Sequence, residues 1–425
     1  MTSSSAWMPT RNMFSLIESL PVARPKIFAR DPNESNYATL PKSASSSRRR
    51  RISGISLIRS EIAGTARTTN RMLRSLLLFA AVFLPGCATV RLQDPDPVRA
   101  QPIEKPPLLR ELTLSCETEK MILALDPNHV TEQEIREVLS QAPAPRIINI
   151  HGGILPHHGS MRSFSQFLIG MGYPEVSVRN PKDGTCAVGY YESSEKLAGV
   201  LAWYYERQGL RPMIVGFSQG GIQVVRILHK LAGDSTEKLP VWNPLTWKSE
   251  NRSDIIDPLT GKTRPVVGLQ LSYATAAVAG GLGRVLPNQW SMNSKLRKIP
   301  DQVEEFTGFH KGLDLLGGDF LGYGPANDYK PTGKALVRNV RLPSSYGHST
   351  IPLTKHLLKS QEIKDWINNY RPTDEPTDTP RLDVKFNSNS SHILWAAEVW
   401  YCIKKHWVLE LQRKIRAQSA SSHAE

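Results

Sequence analysis
Arg211-Pro212-Met213-Ile214-Val215-Gly216-Phe217-Ser218-Gln219-Gly220-Gly221 is the stretch of this 425-residue chain that decides its fold. Met213, Ile214 and Val215 form a short apolar run of the kind that makes a buried strand. Ile222, Val224, Val225, Ile227 and Leu228 follow with helical character. Between the two lies Gly-x-Ser-x-Gly. In a strand–turn–helix setting this pattern makes a turn so sharp that side chains at the flanking positions collide, so glycine fills them. Ser218 is left at the tip of the strand and at a helix N-terminus, whose dipole favours a developing anion. The three fixed positions recur by chance in roughly one chain in ten of this size, so the pattern gains its weight from its surroundings.

Three surrounding features agree with it. Arg146-Ile147-Ile148-Asn149-Ile150 is a buried-strand pattern that ends in His151-Gly152-Gly153. Ala335 to Leu342 is another strand pattern, followed by a loop containing His348. Between them Phe306-Thr307-Gly308-Phe309 leads to Asp314. The order Ser218, Asp314, His348 is the triad order of α/β-hydrolases. From about Ile147 to Tyr370 the chain therefore resembles that superfamily. The resemblance implies an α/β-hydrolase fold, a mostly parallel sheet with helices on both faces.

The remaining patterning is consistent with such a sheet, because strands alternate with helices. Besides the strands named, 176–178, 265–272 and 305–309 read as strands. Residues 131–141, 161–171, 193–208 and 352–370 read as helices, as does the stretch after the turn to about residue 231. Residues 239–264 are polar and turn-rich, with Trp242 and Trp247, and read as a lid or a surface excursion. From residue 392, Trp395, Val399, Trp400, Ile403, Trp407 and Leu411 accompany Lys404, Lys405, Arg413 and Lys414. This tail reads as a helix packed on the domain. The alternative is an interfacial membrane helix with snorkelling cations.

The chemistry expected follows from the residue types. A serine hydroxyl needs a base to take its proton as it attacks, and His348 is the candidate. The base needs an acid to fix its tautomer. Asp314 lies five residues past Phe309, where the resemblance places this acid, with Asp319 and Asp328 as alternatives. The resemblance also implies two backbone donors for the oxyanion, one from Gln219 and one from Gly152, Gly153 or Ile154. A plain Gly-Gly turn and an ordinary loop histidine are the competing readings. His157-His158 reads as an exposed loop pair. No Cys/His spacing suggests a metal site, and no cofactor is expected.

Charge and the amino terminus point elsewhere. The formal net charge is +14, a value that suggests nucleic-acid binding until it is located. Residues 1–86 hold 13 Lys or Arg and 4 Asp or Glu, Arg48 to Arg51 among them, which leaves 40 basic and 35 acidic residues for the remainder. The excess belongs mainly to the leader, so no nucleic-acid partner is expected. Arg71-Met72-Leu73-Arg74 precedes an apolar run from Leu76 to Leu84, too short to span a bilayer, which ends in Leu84-Pro85-Gly86-Cys87-Ala88. This resembles the lipobox of bacterial lipoproteins and implies cleavage before Cys87 and lipid on its thiol and amino group.

The expected organisation is an extension or over-extended start (1–71), a signal peptide (72–86) and a Pro-rich tether (87–110). A hydrolase domain (111–375) and a C-terminal linker and helix (376–425) follow. Three cysteines then remain, Cys116, Cys186 and Cys402, for which one disulfide and one free thiol is the simplest expectation. Together these readings suggest a serine hydrolase of the bacterial cell envelope, acting on an ester, thioester or amide bond of a small-molecule or lipid substrate and anchored through Cys87. Ala88 rather than Asp after the cysteine suggests the outer membrane. A non-catalytic envelope lipoprotein is the alternative.

Overall fold
The computed structural model describes residues 114–234, 237–280, 287–314, 316–317, 328–373 and 391–422. All of them belong to the unit Gln93–Glu425. The extension, the signal peptide, Cys87 and the tether lie outside the described residues, as does Asp319.

Two short helices come first among the described residues. The first, α1 (Cys116–Ala124), is capped by the Ser115 hydroxyl. The second, α2 (Glu132–Glu137), starts on a reciprocal capping box between Thr131 and Glu134. Then β1 (Ile147–His151), α3 (Leu155–Gly170), β2 (Val188–Gly189), α4 (Ser194–Gln208), β3 (Met213–Phe217) and α5 (Gln219–Leu231) alternate. Two hairpins follow: β4 (Trp242–Asn243) with β5 (Lys248–Ser249), and β6 (Asp254–Ile256) with β7 (Thr263–Pro265). The chain continues through β8 (Leu271–Ala277), β9 (Lys298–Ile299), β10 (Val303–Lys311), β11 (Lys330–Pro331) and β12 (Leu336–Leu342). It ends with α6 (Gln361–Asn369) and α7 (Ile393–Ser422).

Six strands form one sheet in the order β12-β10-β8-β3-β1-β2, and every pair is parallel. Alternate residues feed two cores. Ile147, Met213, Val215, Phe217, Tyr273 and Phe309 point into the core shared with α3 and α7. Ile148, Ile150, Ile214, Ala274, Ala276 and Phe306 point into the one shared with α4 and α5. The protein is thus an α/β fold with a parallel sheet covered by helices on both faces, as expected. The chain winds from β1 to β2 in one direction and then returns to β3 on the other side of β1. In open parallel sheets the crevice outside the carboxyl ends of strands at such a reversal is where ligands bind. Here it lies between the loop after β1, which begins Gly152-Gly153, and the turn after β3, which begins at Ser218.

Three expected elements differ. The stretch 176–178 is not a strand, because Glu175–Ser177 is a 3-10 turn whose Ser177 hydroxyl donates to Ala144 O at 3.1 Å. The strand beside β1 is β2, two residues long and too short to show a period. The run 265–272 is broken by Gly268 at φ 89°, and the strand occupies 271–277 instead. Its small residues have a packing reason: a Cβ on Gly221 of α5 would fall 3.1 Å from Ala276 Cβ, so helix and strand approach closely. The stretch 352–370 is a 3-10 turn at Lys355–Lys359 followed by α6.

The segment 239–264 forms the two hairpins, seated on α4. Lys196 of that helix lies over the rings of Trp242 and Trp247, and the indole N–H of Trp203 donates to Glu250.

The tail is not separate from the domain at residue 375. Trp395, Trp400 and Trp407 of α7 are fully buried in the core with α3. Trp400 Nε1 donates to Asn368 Oδ1 at 2.8 Å and Trp407 Nε1 to Pro143 O at 2.9 Å. This agrees with the reading of a helix packed on the domain, and its cations turn inward or along the surface to partners rather than snorkelling. Lys404 Nζ donates to Val130 O and Asn368 O, and Lys405 pairs with Glu305 at 2.6 Å. No described helix is long and apolar enough to cross a membrane. Cys116, Cys186 and Cys402 form no disulfide, Cys116 being exposed and the other two buried, so the expected pairing does not occur among them.

Candidate active site
The turn after β3 has the strain that its sequence demands. Ser218 adopts φ 54° and ψ −123°, a region that residues with a Cβ rarely occupy. Its amide is held by Ala277 O at 2.8 Å and its carbonyl by the Gly221 amide at 2.9 Å. A Cβ on Gly216 would fall 2.5 Å from Gly220 O, and one on Gly220 would fall 2.3 Å from Ile150 O. Both obstacles are backbone and cannot move aside, so neither position admits a side chain. Ser218 stands at the N-cap of α5 yet makes no side-chain cap bond, which leaves its hydroxyl for other partners.

That hydroxyl meets His348. The distance from His348 Nε2 to Ser218 Oγ is 3.0 Å, and from His348 Nδ1 to Asp314 Oδ2 it is 2.7 Å. Asp314 Oδ1 accepts from the Gly317 amide at 2.9 Å. Burial by itself would raise the Asp314 carboxyl. The hydrogen bond and charge of the His348 ring, the Gly317 amide and the Lys311 charge outweigh it and hold the carboxyl below its ordinary range. Asp314 is thus the acid set to stay ionised against the imidazole. Of the alternatives, Asp328 lies 4.0 Å from His310, not at His348. The three groups come from the ends of β3, β10 and β12, brought together by one edge of the sheet.

Gly152 and Gly153 lie against the serine turn. A Cβ on Gly152 would fall 2.8 Å from Ser218 Cβ, and one on Gly153 would overlap the Gln219 side chain. His151 Nδ1 donates to Gly152 O at 2.8 Å, a bond within the loop. Gln219 opens α5, whose first-turn amides have no partner inside the helix. The loop after β1 and the first amides of α5 therefore border the same space beside Ser218 Oγ. Among the described residues no cluster of three or more His, Cys, Asp or Glu is placed to hold a metal ion.

His157 is not the exposed loop residue expected. It lies in the first turn of α3 and is 2% exposed. Its ring packs edge-on against Phe217, with centroids 4.7 Å apart, and lies 5.6 Å from the ring of His348. Burial pushes the imidazole down to about 3, and the rings of His348 and His151 act in the same direction. The sequence contains a signal for this placement. Pro156 suits the first turn of a helix. Counting from it, His157 shares a face with Met161, Phe164 and Leu168, all of them fully buried.

Set against protein-family models, curated proteins and solved structures, the chain matches none of them. The class is therefore defined by its own fold and side chains, as an α/β protein with a parallel six-stranded sheet.

Proposed function
We propose that this protein is a serine hydrolase of the α/β-hydrolase type that cleaves a carboxylic ester through an acyl-enzyme. The observation that carries this reading is the continuous contact Ser218–His348–Asp314 at 3.0 and 2.7 Å, ending on a serine held at positive φ. As Ser218 Oγ bonds to the acyl carbon, its proton passes to His348 Nε2, and Asp314 stabilises the resulting imidazolium without taking the proton. The carbonyl electrons move onto oxygen, beside the amides of the Gly152-Gly153 loop and Gln219. Each such donor contributes about 3 kcal/mol to the transition state. Collapse expels the alcohol, which takes the proton from His348. A water then repeats the sequence, restores the serine and releases the acid.

The lipobox-like Leu84-Pro85-Gly86-Cys87 supports attachment to the bacterial envelope through a lipid on Cys87, which would place the site near membrane or periplasmic esters. A fluorophosphonate applied to the full chain should label Ser218. Labelling should vanish in Ser218→Ala and fall steeply in His348→Ala. Folded protein that takes up no label and hydrolyses neither short-chain nor long-chain esters would leave the non-catalytic lipoprotein as the reading.

A further inference from the structure
Arg146, the residue before β1, is 5% exposed and carries its charge with no carboxylate beside it. Nη1 donates to Val176 O at 2.8 Å and Nη2 to Val178 O at 3.4 Å, while Nε has no partner. The guanidinium lies over the Tyr204 ring, 4.8 Å from its centre. Among the described residues it forms no ion pair. The titratable groups that act on it are Tyr204, Tyr173 and Cys186. Burial raises both phenols above their ordinary value, so neither tyrosine supplies a negative charge at neutral pH. The carboxylates on the neighbouring turns are engaged elsewhere: Glu175 pairs with Arg179, and Asp183 accepts from the Thr185 hydroxyl at 2.7 Å. A buried charge is costly unless it is paired, and a guanidinium cannot escape the cost by losing its proton.

The groups around this guanidinium also border a cavity, whose origin is the shortness of β2. That strand pairs only with Ile150 and His151, so the sheet edge beside Ile147, Ile148 and Asn149 is not continued. A cavity of about 20 Å³ lies along that edge. Val178, which accepts one of the Arg146 bonds, Tyr204, whose ring lies against the guanidinium, and Cys186 all line it. Trp247, from the turn of the β4–β5 hairpin, lines it too. One water needs about 10–15 Å³ by the same measure. The cavity therefore has room for one small species and not for an organic ligand of many atoms.

We propose that a monovalent anion of halide size binds in this cavity as the counter-ion of Arg146. Two carbonyl oxygens and an aromatic face offer the guanidinium only partial charges, and a water in the same space would offer no net charge. A halide matches both the room and the single positive charge. The site lies at the Arg146 end of β1, and His151 and the Gly152-Gly153 loop lie at the other. The inference does not rest on the hydrolase reading, and its readouts are binding and stability rather than ester turnover.

The competing account is that the two carbonyls and the Tyr204 ring compensate Arg146 by themselves. Chloride is the probe that separates the two. The full-length protein is kept in gluconate, an anion too large for the cavity, and chloride replaces it at constant ionic strength. Chloride-35 NMR linewidths of the wild type should show a saturable bound fraction. That fraction should disappear in Arg146→Met, which keeps the length of the side chain without its charge. Above the dissociation constant, each tenfold rise in free chloride should raise the folded-to-unfolded ratio of the wild type in urea about tenfold relative to that of Arg146→Met. A wild type without saturable broadening, broadening that Arg146→Met retains, or equal chloride dependence of the two stabilities would overturn the proposal. A bromide soak of wild-type crystals gives a test that does not depend on the variant folding. Its anomalous map should place a bromide against the Arg146 guanidinium, and bromide confined to the protein surface would overturn the proposal as well.

Discussion

Asp314→Asn is the substitution whose effect follows most directly from the geometry. Asp314 is 3% exposed and uses its two oxygens differently: Oδ2 accepts from His348 Nδ1 at 2.7 Å, and Oδ1 accepts from the Gly317 amide at 2.9 Å. An asparagine can keep the second bond through its carbonyl oxygen, so the turn should survive. Its amide then faces Nδ1 with a donor. The imidazole must turn Nδ1 into an acceptor and carry its proton on Nε2, 3.0 Å from Ser218 Oγ. An N–H there cannot remove the serine proton. Loss of the correct tautomer costs up to about four orders of magnitude in kcat, or about 5.5 kcal/mol of activation free energy. Steady-state hydrolysis of a p-nitrophenyl ester, with the rate of fluorophosphonate labelling as a second reading, measures it. Thermal melting should change little beside it. Asp319→Asn should leave the rate near that of the wild type. If Asp314→Asn stays within tenfold of the wild type, or the two substitutions rank in reverse, the assignment of the acid is refuted.

Trp400→Ala should destabilise the fold by about 3–5 kcal/mol in urea denaturation, since it empties a fully buried site between α7 and α6 and leaves Asn368 Oδ1 unpaired. An effect under about 1 kcal/mol would mean that α7 is a detachable tail. Acid should weaken the protein partly through Glu305. Burial would raise its carboxyl, but the His406 ring and Lys405 outweigh that and hold it at about 2, against 4.5 for a free glutamate. A depressed folded value means that its contribution, about 3 kcal/mol, is complete above about pH 4.5 and is lost as pH falls toward 2. Glu305→Gln should therefore lose less stability than the wild type between those limits in denaturant titrations, and equal losses would contradict the pairing. Iodoacetamide on native protein should modify the exposed Cys116 first. Cys402, whose thiol burial pushes up to about 12, should react only after unfolding, and a disulfide among Cys116, Cys186 and Cys402 in the native mass would contradict the absence of one among them in the fold. Protein extracted from membranes should carry a diacylglyceryl mass on Cys87, and a cytosolic form retaining residues 72–86 would refute the anchor.

What could be read from the sequence was local. The turn at Gly216 to Gly220 was legible because its chemistry is set by five consecutive residues: only glycine tolerates backbone at 2.5 and 2.3 Å from a Cβ. Long strands with a clear pattern, such as β10 and β12, were legible for the same reason. Elements whose identity depends on a neighbour were not. The strand β2 exists only because β1 offers it an edge, and β8 reads weakly because its alanines are chosen for the close approach of α5 rather than for a strand period.

Ser218, Asp314 and His348 could be named from residue type and order, but nothing in that order states that 130 residues separate two atoms 3.0 Å apart. The parallel sheet brings them together, because each strand delivers its following loop to the same edge. The tail shows the same division. Its aromatic and basic residues specified a helix and left its surroundings open between a membrane surface and a protein core. Tertiary structure decided, by supplying Val130 O, Asn368 and Glu305 as partners for Lys404, Trp400 and Lys405. His157 was misread for the converse reason. The helical spacing of His157 with Met161, Phe164 and Leu168 signals burial, but a histidine pair taken in isolation does not, and the contact of its ring with Phe217 arises only when α3 packs on β1. Periodicity and steric exclusion act between residues close in sequence and can be read along the chain, whereas burial and proximity are set between elements and require the assembled fold.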